Sequence, residues 1–571
     1  MCGIICCICH ENQKPSLDKK LAELLQNRGP DNHNVTFKNN ILFGGFVLWQ
    51  QGLRPTLQPI SHKNWTLLLN GDIFNKNTQN TSNESSDTLW LIENLSTCLN
   101  DDHILNLLKT LKGPYSMVLY NSDSNYVYFA RDPLGRNSLL IESDSTCLKI
   151  LSNSFLDHSG SKKACFELPP LGLFKVDAEN PKSALLYPWK SLMENNIQIG
   201  LEGLNEILQV NASNKCIDPL WLLPSTFKSN YFDFYQLCSS KISAETIYDH
   251  LLGNKIVNES ISKFIELLRS SVKERVTFTP NYCNICIADL KPQCDHSKVA
   301  ILFSGGIDCT ILAIVANEYV KSDDSIDLIN VAFEACKATT NDINWDVPDR
   351  CSAKESFEEL KQLCPSRNWN LIEVNVTRRE LNEELQSHIK HLIYPLNTVL
   401  DESLGCAFWF ASRGKGYCNG QIYKSTARVI LIGSGADELF GGYTRHRNAY
   451  TRCNGSHDEK LSCLSQELDM DWERLPSRNL GRDDRVIADN KKTSRAPFIQ
   501  EDITHFVRNL KPEQRCCFAL EQGVGDKLFL RLSGYQLGLR SSIKLKKRAI
   551  QFGSRIANKN QNAKDLSINI Q

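Results

Sequence analysis

The run Val299-Ala300-Ile301-Leu302-Phe303 passes without a break into Ser304-Gly305-Gly306-Ile307-Asp308-Cys309, and a helical pattern begins at once. A continuous apolar run of this length suits a strand buried on both faces, as in a parallel sheet. Glycines at a strand-to-helix turn let backbone amides approach an anion, and a helix N-terminus favours negative charge. Ser304 adds a hydroxyl donor, and Asp308 beside phosphates suits Mg²⁺. The spacing is not Gly-x4-Gly-Lys, so this is a phosphate loop of another type. Further apolar strands follow at 328–333, 371–376 and 429–432, alternating with helical patterns, which predicts a parallel α/β sheet. After the last of these comes a second loop, Gly433-Ser434-Gly435-Ala436-Asp437-Glu438, then Phe440-Gly441-Gly442-Tyr443. Ligands of a parallel sheet bind beyond the carboxyl ends of its strands, so the two loops are expected to share one cleft.

At 571 residues the chain is too long for one core. Residues 1–190 read as strand-rich, with short runs at 41–48, 65–69, 115–120 and 126–130 and helical patterns at 88–99 and 103–111. Residues 191–255 have no clear period and no motif, and are expected to connect or decorate the domains. The second domain is expected over 256–556, opening on a one-face helical pattern through Ile261, Phe264, Ile265, Leu268 and Val272. Residues 557–571 read as a frayed polar tail.

The chain opens Met1-Cys2-Gly3-Ile4. Once Met1 is removed, Cys2 carries a thiol and a free α-amine that titrates at about pH 8, so the amine can serve as base for its own side chain. Formal net charge is zero, which argues against nucleic acid or an anionic membrane as partner. No apolar run is long enough to span a bilayer and no signal-peptide pattern is present, so a cytoplasmic protein is expected. In that setting the 22 cysteines read as reduced thiols, most of them small core residues. Cys283-x-x-Cys286 followed by Cys294-x-His296 has zinc-type ligands, but the second pair is more compressed than in a common finger, and an irregular insertion is the preferred reading.

The Ser-Gly-Gly-x-Asp loop resembles that of ATP pyrophosphatases. The N-terminal third resembles class II glutamine amidotransferases of the N-terminal-nucleophile type, through Met1-Cys2-Gly3-Ile4, Arg28-Gly29-Pro30-Asp31, the run 70–75 (Asn-Gly-Asp-Ile-Phe-Asn), Ser86-Asp87-Thr88 and the run 131–135 (Arg-Asp-Pro-Leu-Gly). Together, in this order, the modules resemble glutamine-dependent asparagine synthetases. The runs 445–447, 479–485 and 547–555 resemble, closer still, the asparagine synthetase domain-containing group.

The resemblance implies an αββα sandwich followed by a parallel-sheet adenine nucleotide α hydrolase-like domain. It implies that Cys2 attacks the side-chain amide of glutamine, with Asn70 and Gly71 stabilising the oxyanion, a contribution of roughly 3 kcal/mol per donor. Asp87 and Arg28 are implied on the glutamine side and Ser434 on the acceptor side. Ser304, Gly305, Gly306, Cys309, Phe333, Gly433 and Lys547 are implied at ATP, with Asp308 and Asp437 holding Mg²⁺; Lys546 and Arg548 compete with Lys547 for pyrophosphate. Three departures stand out. The arginine that binds the glutamine carboxylate in asparagine synthetases aligns with Phe46, and Arg54 on a nearby loop is the substitute. Ser434 stands where the family carries a glutamate, and Cys309 stands for a serine. The function implied is an ATP-dependent carbon–nitrogen ligase passing glutamine-derived ammonia to an activated carboxylate, aspartate first. The same chemistry on another carboxylate, a glutaminase without a working ligase, and an ATP-binding or regulatory protein without ligase activity are the alternatives.

Overall fold

In the computed structural model the described residues are all but 10–13, 76–84, 145, 157–163, 191, 193, 223–229, 239–242, 291–293, 335–342, 558–561 and 571. The first half is four layers deep. The strand Gly3–Cys9 is buried along its whole length. Its alternation sorts Ile4, Cys6 and Ile8 onto one face and Ile5, Cys7 and Cys9 onto the other. The second set packs under the helix Lys19–Arg28 through Leu21 and Leu25. The first set meets Val118, Phe129 and Phe174 of a second sheet. That sheet turns Leu67, Leu69, Met117 and Leu119 outward, beneath the helices Asp87–Leu95 and Asp101–Leu108. Helix, six-stranded sheet, seven-stranded sheet and helices give the expected αββα sandwich.

The second domain is built on a seven-stranded sheet. Strand Val299–Leu302 lies between Ile326–Phe333 and Val429–Leu431, parallel to both, and Trp369–Val376 and Thr493–Arg495 extend the parallel core outward. An antiparallel hairpin, Lys415–Cys418 with Gln421–Lys424, closes one edge. One face is covered by Lys255–Thr277, Ile307–Asn317 and Leu528–Gln536, the other by Val399–Arg413 and Gly481–Ala488. Chain connections leave Val299–Leu302 in opposite directions on its two sides, which makes its carboxyl end the switch point where a crevice opens.

Two expectations are corrected, and the connecting segment 191–255 takes part in both domains. Gln209–Ala212 pairs parallel with Ser183–Pro188 and adds a strand to the N-terminal sheet, while Ala244–Gly253 packs Ile247, Tyr248 and Leu251 into the second domain's core. The added strand is polar and mostly exposed, so it carries no apolar period. The tail is docked rather than frayed: the carbonyls of Asp565 and Ala563 accept from Val399 and Leu400, the first backbone donors of Val399–Arg413, and Ile570 is buried. Those donors have no partner within their own helix, which is why a polar tail finds a binding place there. Finally, Cys9 and Cys147, directly opposed on neighbouring strands, form a disulfide. No helix among the described residues is long and apolar enough to cross a membrane.

Candidate active site

Cys2 sits at the start of the inner strand, next to the second domain. It is buried, and burial pushes its thiol pKa up. Gln58 places its amide 3.7 Å from Cys2 Sγ, and is itself fixed by exchanging hydrogen bonds of 3.0 and 2.7 Å with the backbone of Leu69. One residue further on, Asn70 is fully buried. Its side-chain nitrogen donates to Ser116 Oγ at 3.3 Å, while its side-chain oxygen has no hydrogen-bond partner among the described residues. A buried polar atom left unpaired costs about 1–3 kcal/mol, a cost that a ligand can offset. Gly71 lies so close to the next strand that a Cβ would stand 2.2 Å from the Pro114 carbonyl oxygen. Asp87 opens its helix and accepts the backbone N–H groups of Ile73 and Thr88 at 3.1 and 2.8 Å. The 50–58 loop leans on this helix start through a 2.7 Å contact between Thr56 and Ser86, and carries Arg54 exposed on the same loop.

Two of the sequence-stated residues differ from their expected surroundings. Phe46 belongs to the sheet face opposite Cys2, packed with Ile5 and Leu25 and stacked on His33. Arg28 is engaged within the protein: it donates to the Cys2 carbonyl at 3.2 Å and pairs with Asp484 of the second domain at 2.9 Å.

Met1 is present, and its ammonium donates to Thr493 Oγ1, on the edge strand of the second sheet, at 2.8 Å. Burial lowers the pKa of this amine to about 6. Around it the domains are joined by buried ion pairs: Arg495 with Asp72 at 2.8 Å, Arg136 with Glu501 at 2.5 Å, Arg428 with Asp31 at 2.5 Å, and Arg485 with Glu167. Removing one partner of such a pair costs about 3–5 kcal/mol, because the other charge stays buried.

The crevice at the switch point is a cavity of about 420 Å³, lined by both Gly-rich loops. Gly305 has a φ of 78°, and a Cβ there would lie 2.2 Å from the Ser352 carbonyl oxygen, so only glycine fits the turn. Gly433 brings the second loop within a methyl group of the first: its Cβ would sit 3.1 Å from that of Asp308. Ser304 accepts from Gly306 N–H at 3.4 Å, and Cys309 donates to the Gly306 carbonyl at 3.1 Å. Burial raises the Cys309 thiol to about 11, so it stays neutral at physiological pH.

Between the two aspartates lies Lys527. Its ammonium is 2.6 Å from Asp308 and 2.6 Å from Asp437, and Lys547 also pairs with Asp437. Burial opposes the charge on Asp437, but the two ammonium groups outweigh it and hold its carboxyl well below the usual range. Burial likewise works against the Lys527 charge, and Asp308 and Asp437 overcome it and raise the pKa. The donor set suits Mg²⁺, which takes one or two carboxylates plus phosphate oxygens, and both carboxylates belong to the same cleft. Lys527 competes for those oxygens while it charges the phosphate end. Nothing in the sequence pattern tied Lys527 to Asp308, 219 positions away. Gln58 also escaped, lying on a loop without a motif.

Lys547 lines the main cavity, and Lys546, Lys547, Arg548 and Lys527 line a smaller one that shares Ser304, Gly306 and Asp308 with it. Phe333 is enclosed, edge-on to Phe410 at 5.9 Å, with its N–H bonded to the Ser554 carbonyl. Ile329, Asn330 and Val331 line the cavity from that strand in its place. Ser434 lines the same cavity as Arg474, Arg478 and Arg445, the last already paired with Asp471 and Glu467. Glu438 is raised to about 7, by burial first and by the Asp437 charge second. Arg482 and Asp483 line this cavity too, and the next residues, Asp484 and Arg485, pair across the domain boundary with Arg28 and Glu167. One short run thus touches both the cleft and the arginine on the Cys2 carbonyl.

Residues 1–159 match the glutamine amidotransferase domain family, and residues 294–461 the asparagine synthase family. The chain is 47% identical to the asparagine synthetase domain-containing protein CG17486 of Drosophila melanogaster, over 100% of both chains. It is 35% identical to asparagine synthetase domain-containing protein 1 of Gallus gallus, covering 98% of this chain and 97% of the relative. The Homo sapiens protein of the same name is also 35% identical, with 98% and 95% covered.

Proposed function

Because the chain belongs to the asparagine synthetase domain-containing protein family, with a glutamine amidotransferase domain ahead of an asparagine synthase domain, we propose that it is a glutamine-dependent amide ligase with aspartate as the first candidate acceptor. The observation that carries this reading is the convergence of Asp308, Asp437 and Lys527 beside the Ser304–Gly306 loop, in a domain clamped by buried ion pairs to the one that bears Cys2.

In the amidotransferase half, the Cys2 sulfur attacks the glutamine amide carbon. Asn70 and the Gly71 N–H receive the oxyanion, and ammonia leaves as the thioester forms. Water then releases glutamate. The base is the Cys2 α-amine after Met1 removal. An α-amine titrates at about pH 8, and burial at this position would lower it toward the neutral form that accepts a proton. In the ligase half, the acceptor carboxylate attacks the α-phosphorus of ATP and pyrophosphate departs toward Lys527, Lys546, Lys547 and Arg548. Ammonia attacks the acyl carbon and AMP leaves. Mg²⁺ held by Asp308 and Asp437 would neutralise phosphate charge. Arg474 and Arg478, which line the same cavity, would orient the acceptor.

Purified protein with ATP, Mg²⁺, glutamine and aspartate, assayed separately for AMP, pyrophosphate, glutamate and asparagine, tests the proposal. Glutamate and AMP without asparagine would point to another acceptor, and glutamate alone to a glutaminase. Binding of ATP without any product would favour a regulatory role, the reading that Ser434 supports, because serine supplies no carboxylate base. Ser434→Glu is expected to raise asparagine formation by about 10²-fold, the lower range for a general base. No gain, with ATP still bound and no asparagine from the wild type, would favour a different acceptor or a site used for binding alone.

Arg54 is the proposed clamp for the glutamine α-carboxylate. Arg54→Ala is expected to raise the glutaminase KM by about 10- to 100-fold, the size of a lost charged hydrogen bond, at nearly constant kcat. An unchanged KM would assign the clamp to another residue.

A further inference from the structure

We propose that Cys283, Cys286, Cys294 and His296 form a structural zinc site, independent of the ligase and glutaminase chemistry. The four come from the stretch between the helix Lys255–Thr277 and the central strand Val299–Leu302, read from spacing alone as an irregular insertion. The fold brings them together, so that one ligand atom from each lies within 4.8 Å of all the others. His296 Nδ1 is 3.5 Å from Cys283 Sγ and 3.4 Å from Cys286 Sγ. Zinc bonds of about 2.3 Å to sulfur and 2.0–2.1 Å to nitrogen, at tetrahedral angles, give a sulfur–nitrogen edge of about 3.5 Å. The cluster therefore has the edge lengths of a zinc tetrahedron on both measured sides. Cys283 Sγ also accepts the Cys286 backbone N–H at 3.4 Å, a donor that stabilises thiolate charge. Four protein ligands leave no position for substrate, which makes the site structural.

Its neighbours explain what the metal would hold. Tyr282 packs on Trp49 of the N-terminal domain, with ring centroids 5.8 Å apart. Asn284, inside the Cys283–Cys286 turn, bonds the Ala427 carbonyl at 3.0 Å and accepts from Arg428 at 3.0 Å. Arg428 in turn pairs with Asp31 and donates to the Trp49 carbonyl at 2.9 Å. Zinc would fix a loop with too few apolar residues to fix itself, and through Asn284 and Tyr282 would tie that loop to the domain boundary.

Metal analysis of the full chain, purified in zinc-containing buffer and then freed of loose ions, is expected to find about one zinc per chain, the count for one closed site. The Cys286→Ser/Cys294→Ser double variant is expected to hold none. Cobalt(II) exchanged into the wild type should give thiolate-to-cobalt charge-transfer absorption in the near ultraviolet and strong tetrahedral bands in the visible. His296→Ala should keep the charge-transfer band and weaken the tetrahedral bands. Zinc well below one equivalent together with no cobalt spectrum would overturn the proposal, and so would a Cys283–Cys286 disulfide in the native protein. If the double variant does not fold, zinc released from wild type by a thiol-modifying mercurial and read with a chelating dye decides: one equivalent supports the site, none removes it.

Discussion

A Cys2→Ala chain is expected to lose glutamine hydrolysis by about 10⁴-fold or more, the scale seen when a catalytic nucleophile is removed, while keeping any ammonia-dependent consumption of ATP. The separation follows from geometry. Cys2 lies at the start of the inner strand of the sandwich, whereas Asp308 and Asp437 lie at the carboxyl ends of the second domain's strands. Alanine is small and apolar and fits a position already buried among Ile4, Phe43 and Val47, so the variant should fold. Parallel assays with glutamine and with ammonium chloride read the two halves separately. Glutaminase activity that survived the change would remove Cys2 as nucleophile. The same mechanism requires a free Cys2 amine, so intact-mass analysis of the native chain should find Met1 absent. Retained Met1 leaves that nitrogen in a peptide bond, with the Met1 amine on Thr493 instead.

Lys527→Met is expected to be the most damaging single change in the ligase domain. It leaves the half-buried Asp308 and Asp437 facing one another without the cation between them, Lys547 still pairing with Asp437, so the cost is at most about 3–5 kcal/mol. ATP-dependent turnover should fall by at least about 10²-fold, because the charge facing the phosphates goes with it. The backbone supports a dedicated role for this lysine. Its φ of 54° lies in the left-handed region, which costs a side-chain-bearing residue about 1–2 kcal/mol. That strain aims the ammonium between the two loops. Denaturant unfolding with and without Mg²⁺ makes the test specific: Mg²⁺ should restore more stability to the variant than to wild type, since it can take the vacated place between the carboxylates. Wild-type stability in the variant, or no gain with Mg²⁺, would show that the lysine does not hold the pair together. The pH response has a definite sign. Asp437 is depressed in the folded chain, so its contribution is present above the ordinary carboxylate pKa and is lost as pH falls through the lower folded value. In Lys527→Met that loss should begin at a higher pH.

The sequence by itself determined those features whose signal is local. A five-residue apolar run cannot be solvated, and the glycines after it have a conformational freedom other residues lack; together they fix a buried strand and a phosphate-type turn before any neighbour is known. The layered sandwich was expected only through the resemblance of the N-terminal third to class II glutamine amidotransferases; the sorting of Ile4, Cys6 and Ile8 from Ile5, Cys7 and Cys9 onto two buried faces came with the tertiary structure, since all six are apolar. Cys2, Asp308 and Asp437 stood out as candidates from residue type and local context, whereas Asn70 and Asp87 were candidates only through the family resemblance. The tertiary structure alone decided the rest. Lys527 reaches Asp308 across 219 positions, Gln58 reaches Cys2 across 56, and Cys283 meets His296 only because an irregular loop folds back on itself. Arg28 was legible as part of a motif, but its pairing with Asp484 was not. Charge partners leave no period in a sequence, since a long side chain satisfies a buried carboxylate from almost any element that passes within reach. The docked tail was invisible for a related reason: what holds it is a pair of unfilled backbone donors on a distant helix, and backbone groups are the same in every residue.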